Sequence, residues 1–397
     1  MDAGQGVFAI TNRWTILAVL FVTRLTMAFQ FQSVAALSPL IIEDYAVSLA
    51  DIGLLIGLYL APGMIVAIPG GAIAARFGDK RIVGLSMILM LLGGALIAFG
   101  PGWESLVAGR VLGGVGGVII NVVMTKMLVD WFAGREIATA MAIYINSWPV
   151  GIALALLIFP NLAAMGGLAL AWAAVVSFIA AGLVLFLLIY RAPANAAVSA
   201  ARIKVHRLPV LGLFLAAVIW GLYNAALAMV FSFGPALFSQ RGWSLTSAGT
   251  MISVFMIVFS VSVPFGGILA DRTGRRDTVI MASLLGYAIL MPLALYVPPS
   301  VVPAIFVVVG LLFGLCAGPM MSLPSLILPP EARAFGMGVF WSIYYAVMMA
   351  APTLAGGLAD RAGNAGAAFI LGSLMLVLSM AALAAFRRVS VKPLTAR

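Results

Sequence analysis

Long apolar stretches return a dozen times along this chain, each separated from the next by a short interval of charged residues, glycine or proline. They run near 14–40, 51–74, 81–100, 104–128, 137–160 and 168–190, and then near 209–238, 245–270, 278–297, 301–327, 334–356 and 366–386. A helix crossing a hydrocarbon core about 30 Å thick needs about 20 apolar residues, so each stretch is long enough for one crossing. Hydrophobic residues fill 64% of the 397 positions and charged residues 9%, where a soluble domain carries about 25% charged residues. The chain reads as an all-α membrane protein with 12 transmembrane helices and no sizeable soluble domain.

The intervals carry the charge unevenly. With the N-terminus inside, the inner side holds Arg13, Arg76, Lys80, Arg81, Lys126, Arg135, Arg191, Arg202, Lys204, Arg207, Arg272, Arg275, Arg276, Arg333, Arg387, Arg388, Lys392 and Arg397, which is 18 of the 22 Lys and Arg. The outer side keeps Arg241 and Arg361. Cationic loops stay in the cytoplasm, so both termini are expected there, which requires an even number of helices. The first stretch runs past Arg24 without the short apolar region and cleavage site of a secretion signal, and is expected to persist as a helix. The absence of an Asn-X-Ser/Thr acceptor site, with the short loops, points to a bacterial inner membrane.

Several function classes fall away. The net charge of +10 forms no basic patch with interleaved aromatics, so no nucleic-acid partner is expected. The single cysteine, Cys316, cannot close an intrachain disulfide, and the single histidine, His206, leaves no metal-ligand cluster. No cofactor is expected. No nucleophile with a histidine base and no paired carboxylates can be assembled, so the chain is not expected to be an enzyme. A nucleotide-driven pump would need a Gly-x-x-x-x-Gly-Lys-Ser/Thr loop, which does not occur.

The chain repeats itself. Gly-Gly-Ala-Ile-Ala-Ala-Arg-Phe-Gly-Asp-Lys-Arg at 70–81 returns as Gly-Gly-Ile-Leu-Ala-Asp-Arg-Thr-Gly-Arg-Arg at 266–276, an offset of 266 − 70 = 196. Ser48 to Gly53 falls on Ser244 to Gly249 with the same offset. Two six-helix units follow, 1–190 and 209–397, joined by a polar interval at 191–208 expected to act as a cytoplasmic linker.

Gly267 to Arg276 fits Gly-x-x-x-Asp-Arg-x-Gly-Arg-Arg, and this motif resembles the cytoplasmic loop signature of the major facilitator superfamily. Gly71 to Arg81 is the first-half copy, Gly356 to Gly363 echoes it, and Arg110 to Gly117 resembles the family's fourth-helix motif. The resemblance spans essentially the whole chain and implies the major facilitator fold: two six-helix bundles related by a pseudo-twofold axis, working by alternating access. As a conformational gate it singles out Gly71, Arg76, Gly78, Asp79, Gly267, Asp271, Arg272, Gly274 and Arg275. Glycines let helices approach, an aspartate can be held at a helix N-terminus or by an arginine, and arginines reach across the seam. The same loops also satisfy plain topology as cationic inner loops. The first copy carries Ala75 where the motif has its aspartate, which leaves Asp271, or Asp79 standing in, to hold the closed state.

Charge at membrane depth is expensive unless it faces a cavity or a partner. Two cations qualify, Arg24 in the first helix and Arg110 in the fourth, while all 12 acidic residues can be placed in loops or near helix ends. An unpaired guanidinium attracts an anion. The alternative is that these arginines donate to helix carbonyls or to Asn121 and Gln30 and brace the bundle. The offset sets Trp220 opposite Arg24, so the expected site has one charged wall and one formed by Trp220, Tyr223 and Asn224. Asn121, Tyr144, Trp148, Trp341, Tyr344 and Tyr345 complete it; the rings could equally fill gaps between helices. Arg24, followed by Gln30 to Leu40 and Gly53-Leu54-Leu55, loosely resembles the cyanate and nitroimidazole permease branch and, less closely, nitrate carriers. The resemblance implies a secondary transporter of a small organic or inorganic anion, functional as a monomer in the lipid bilayer, with a coupling proton or a counter-anion. A polyspecific drug exporter of the same superfamily is the alternative. Such exporters usually show Gly-x-x-x-Gly-Pro-x-x-Gly in the fifth helix, where this chain has Asn146-Ser147-Trp148-Pro149-Val150-Gly151.

Overall fold

The computed structural model describes residues 12–67, 69, 76–132, 136–192, 209–328 and 333–390. Among the described residues, twelve long helices cross the molecule: α1 (Arg13–Ala36), α2 (Leu49–Val66), α3 (Asp79–Phe99), α4 (Trp103–Phe132), α5 and α6 within the run Ser147–Ile189, α7 (Val210–Gln240), α8 (Leu245–Thr273), α9 (Arg276–Leu293), α10 (Val302–Met321), α11 (Arg333–Ala362) and α12 (Gly366–Ser390). The run Ser147–Ile189 is 43 residues long, which as one straight helix would measure about 65 Å, twice the depth of a bilayer core. It turns at Gly166 and at Gly167, whose φ of +65° and ψ of −166° suit only glycine. α5 thus spans 147–165 and α6 spans 168–189.

Local chemistry sets the ends. Asn12 accepts from the Trp14 N–H at 2.9 Å to start α1, and Ser48 with Asp51 forms a reciprocal capping box at the start of α2. The first apolar stretch ends as a helix at Ala36, earlier than the expected residue 40, because Pro39 has no N–H to continue the ladder; a short helix, Ser38–Tyr45, follows. α11 runs six residues past the expected 356, so Asp360 and Arg361 lie in its last turn, with Gly363 at φ +63° beyond it.

Exposure separates outer helices from inner ones. On α3, Leu85, Ile88, Leu92, Leu96 and Phe99 are exposed at steps of three and four residues, one apolar stripe suited to lipid. Met281, Leu285, Ile289 and Leu293 make the matching stripe on α9. By contrast, α1 from Leu25 to Ala36 and α7 from Ala225 to Phe238 are buried without a break, and they sit at the centre of their six-helix bundles.

The two bundles meet along two seams related by the sequence offset. Gly53 of α2 lies so close to α11 that an added Cβ would strike the Pro352 carbonyl oxygen, and Gly249 of α8 lies the same way on the Leu156 carbonyl of α5. Residues 53 and 249, and residues 156 and 352, are each 196 apart. One turn deeper, Gly57 abuts the Met349 carbonyl while Ser253 donates its hydroxyl to the Ala153 carbonyl at 2.9 Å, again a related pair of contacts. The pseudo-twofold axis is therefore written into the atoms of the seam. Small residues permit backbone contact between helices where lipid offers no hydrophobic drive.

These contacts, with Gly356 against Leu49, all lie on the side of the molecule opposite the chain termini, and they seal that side. Asp360 at the end of α11 adds a polar closure: its Oδ1 and Oδ2 accept from the Leu49 and Ala50 N–H groups of α2 at 2.9 and 2.8 Å. A carboxylate on orphan N–H groups at a helix N-terminus is favourable in both hydrogen bonding and dipole. Replacing Gly57 by Leu keeps this seam apart. We expect about a tenfold or larger loss of uptake with the folded protein still in the membrane, and new labelling by a membrane-impermeant thiol reagent at a cysteine placed at Ala50. Wild-type uptake by Gly57→Leu would mean that the seam does not have to close.

Candidate functional site

Arg24 sits on α1 below the sealed side, beside a break in the chain. The short helix Ile137–Ile145 ends at Asn146 before α5 begins, and Pro149 cannot offer an N–H to the Ile145 carbonyl four residues earlier. The Arg24 Nη1 fills that need, donating to the Ile145 and Tyr144 carbonyls at 3.1 Å each and to Ser147 Oγ at 3.2 Å. Its Nε donates to Asn121 Oδ1 at 3.1 Å, and the guanidinium lies 4.8 Å from the centre of the Tyr144 ring. Nη2 has no acceptor, and no carboxylate is within ion-pair distance of Arg24, among the described residues. The side chain is half-buried.

From Arg24 a polar chain leads to the second bundle. Asn121 Nδ2 donates to the Tyr345 hydroxyl at 3.2 Å, and Tyr345 packs over Gly63, where a Cβ would collide with its ring. Tyr345 is thus buried where α11 meets α2. Around it Trp341, Tyr344 and Tyr345 form one aromatic group, with ring centres 5.1 Å apart for Trp341–Tyr344 and for Tyr344–Tyr345, and 6.3 Å for Trp341–Tyr345. On α7, Trp220 and Asn224 are half-buried, Trp220 stacks on Tyr223 at 5.4 Å between ring centres, and Asn224 Nδ2 donates to the Trp220 carbonyl at 2.8 Å. Trp148, also half-buried, leans on Phe31 at 5.1 Å. Two polar atoms here are buried without partners among the described residues, Trp220 Nε1 and the Tyr144 hydroxyl.

Two of the expected site residues are enclosed. Arg110 is 0% exposed. Its Nε, Nη1 and Nη2 donate to the carbonyls of Leu55, Gln30 and Phe31 at 2.8, 3.0 and 3.1 Å, and its guanidinium lies 4.6 Å from the Tyr59 ring centre. It ties α4 to α1 and α2. Tyr223 is buried inside the second bundle, stacked on Phe313 at 4.1 Å and donating to the Phe313 carbonyl at 2.8 Å.

The expected gate residues lie at the end of the molecule that bears the termini. Asp79 meets Lys126 at 2.7 Å, and Lys126 also meets Asp130 at 2.9 Å, all within the first bundle. Asp271 pairs with Arg276 at 3.1 Å within the second. Arg76, Arg272 and Arg275 are exposed. Gly78 starts α3 at φ +90° and Gly274 ends α8 at φ +65°, the backbone conformation that glycine allows. Gly267 has open space at its Cβ position, whereas its neighbour Gly266 packs on the Leu315 carbonyl and is the close-approach glycine of this motif. Gly71 lies outside the described residues, as does the linker from 193 to 208.

Sequence reasoning missed three members of the arrangement. Asp360 was readable as the aspartate of the motif echo at Gly356 to Gly363, but its partners were not, since they are backbone N–H groups 310 and 311 residues away. Thr125, which bonds the Asn121 carbonyl at 2.7 Å, carried no signal beyond its position one turn from Asn121. Ser260, which donates to Asn146 Oδ1 at 2.6 Å across the bundles, looked like an ordinary small residue on α8.

The family model described as Major Facilitator Superfamily matches residues 20–240 and 210–396. The chain belongs to that superfamily. It is a multi-pass membrane transporter of small molecules and not an enzyme. It is similar to the hexuronate transporter of Bacillus subtilis strain 168, 22% identical over 413 residues that cover 96% of each chain. It is also similar to a probable 4-methylmuconolactone transporter of Cupriavidus pinatubonensis, 26% identical over 337 residues covering 80% of this chain and 77% of the relative. Among solved structures, a bacterial homologue of the human lysosomal transporter Spinster, in an inward-facing and occupied conformation, shares the fold. The TM-score is 0.69 at 17% identity, over 95% of this chain and 96% of the other.

Proposed function

We propose that this major facilitator carries a small organic or inorganic anion by alternating access, with Arg24 as the group that binds it. One observation carries the reading: a half-buried guanidinium at membrane depth has a free Nη2 edge and no carboxylate beside it among the described residues. A fixed cation in a low-dielectric cavity favours an anionic ligand by charge and by charge-assisted hydrogen bonds. The hexuronate named for the Bacillus relative is an anion, which supports the same choice. In this reading Arg110 braces the bundle rather than touching solute, because all three of its nitrogens already serve backbone carbonyls.

The excess of cationic loops on the side of the termini supports a cytoplasmic placement of both ends in a cell inner membrane. The sealed side is then the outer one, and the aromatic site is reached from the cytoplasm. Transport proceeds by rocking of 1–190 against 209–397 about the linker 191–208, as a monomer. The two loop motifs release their internal ion pairs to hold the cytoplasmic side when it closes. A co-transported proton or an exchanged counter-anion supplies the coupling.

The reading is tested by the thermal stability of the purified protein with small anions, including cyanate, nitrate, oxalate and short carboxylates, against a parallel set of lipophilic cations. A ligand that prefers the folded protein raises its melting temperature by mass action. We expect stabilisation by an anion and none by the cations. Stabilisation by lipophilic cations alone would replace this reading with that of a drug exporter.

A further inference from the structure

Resting on the anion reading of the Arg24 site, the geometry points to a narrower solute class: a monocarboxylate whose body is a flat, hydroxyl-poor ring.

Charge sets the first limit. Arg24 is the one cation at the aromatic site among the described residues, since Arg110 is enclosed and Lys126 is neutralised by Asp79 and Asp130. One fixed positive charge matches one negative charge. A dianion would carry its second charge into a ring-lined space without a counter-ion, and a buried unpaired charge is strongly disfavoured.

The state of the fork sets the second. Nε and Nη1 are already bound to Asn121, to two backbone carbonyls and to Ser147. What remains is Nη2, two N–H groups on a single nitrogen. An anion can dock end-on there, but it cannot use the parallel two-bond mode that makes arginine a strong stand-alone anion trap. A bare triatomic or tetraatomic anion, which has nothing else to offer, binds weakly at such an edge. The remaining affinity has to come from the body of the solute.

The walls say what that body is. Trp341 and Tyr344 flank Tyr345, which is tied to Arg24 through Asn121, and Trp220 on α7 occupies the position that the 196-residue repeat relates to Arg24. Aromatic rings linked in this way to the cation favour a planar ring by offset or edge-on stacking. Around the guanidinium, Asn121 uses both ends of its amide, Thr125 bonds the Asn121 carbonyl, and Ser147 donates to the Tyr144 carbonyl at 2.6 Å, which leaves Trp220 Nε1 and the Tyr144 hydroxyl as the polar atoms without partners among the described residues. The hydroxyls of a sugar acid would leave water and find few replacements, and each bond lost lowers affinity severalfold.

Four probes and a control separate the possibilities, measured as competition and as ligand-induced melting shift on the full-length protein in nanodiscs: benzoate, its neutral isostere benzamide, the dianion isophthalate, glucuronate, and nitrate. Benzoate is expected to bind about tenfold or more tightly than each of the others. Trp341→Ala is expected to weaken benzoate about 3- to 10-fold through lost stacking, with an unshifted melting temperature in the absence of ligand. Glucuronate, isophthalate or nitrate binding as tightly as benzoate overturns the ring-monocarboxylate inference and leaves the anion reading standing. Benzamide equal to benzoate, or no binding by any of the anions, overturns the anion reading and this inference with it.

Discussion

Arg24→Gln loses saturable anion uptake in proteoliposomes while remaining folded and monodisperse. Glutamine can still reach Asn121 or one carbonyl of the Tyr144–Ile145 break, so the local packing has a substitute. The charge and the free Nη2 edge do not. A hydrogen bond to a charged group contributes about 1.5–3 kcal/mol, which is roughly 10- to 100-fold in the dissociation constant. Arg24→Lys separates charge from shape. A lysine supplies the cation as a single point without the fork, and it is expected to restore weak binding while leaving at least one of the Asn121, Tyr144 and Ile145 contacts unmade. Uptake measured against solute concentration, with the melting temperature of each variant alongside, decides the matter. Unchanged kinetics in Arg24→Gln would remove Arg24 from the solute site.

Arg110→Ala fails at an earlier step, in folding. The side chain is fully enclosed and fills the space between α1, α2 and α4, with donors on the Leu55, Gln30 and Phe31 carbonyls. Truncation leaves a cavity the size of a large side chain, a loss of roughly 3–5 kcal/mol by analogy with large-to-alanine changes in cores, and it unties three helices at once. We expect little monodisperse protein and a melting temperature lowered by about five degrees where any is recovered. Arg110→Met, which keeps the volume and removes the buried charge, is expected to fold better than the alanine variant, since an apolar isostere escapes the desolvation of the guanidinium. A stable Arg110→Ala protein that no longer binds solute would instead place Arg110 at the solute. The two arginines thus make opposite predictions: one variant folds without binding, the other does not fold.

The difference between them was beyond reach in the sequence. Both stood out as ionisable residues inside apolar runs, and that signal is real because lipid tolerates neither without a partner. What the linear pattern does not contain is which face of each helix looks inward and which carbonyls are within reach. Arg110 finds three carbonyls on two other helices. Arg24 finds a helix break created by a proline four residues beyond Ile145. Pro149 was visible as a helix softener. Its role in freeing a carbonyl for an arginine 121 residues earlier in the chain was not.

Much else was fixed by local chemistry. Twelve crossings follow from the length and apolarity of the stretches, because the bilayer sets one required length for all of them. The two-bundle plan follows from the 196-residue offset, since a repeated sequence builds a repeated unit, and the paired seams Gly53 on Pro352 and Gly249 on Leu156 are its direct expression. The aromatic residues of the site were legible as candidates by type and helix, and Trp341, Tyr344 and Tyr345 come together because residues one, three and four apart on one helix share a neighbourhood. Tertiary structure alone decided which side of the molecule is sealed. The Asp360 carboxylate on the α2 N-terminus, and glycines pressed on carbonyls of the other bundle, are contacts between segments far apart in the chain, from Gly249 and Leu156 to Leu49 and Asp360. No local propensity encodes them, because they exist only when two finished bundles meet.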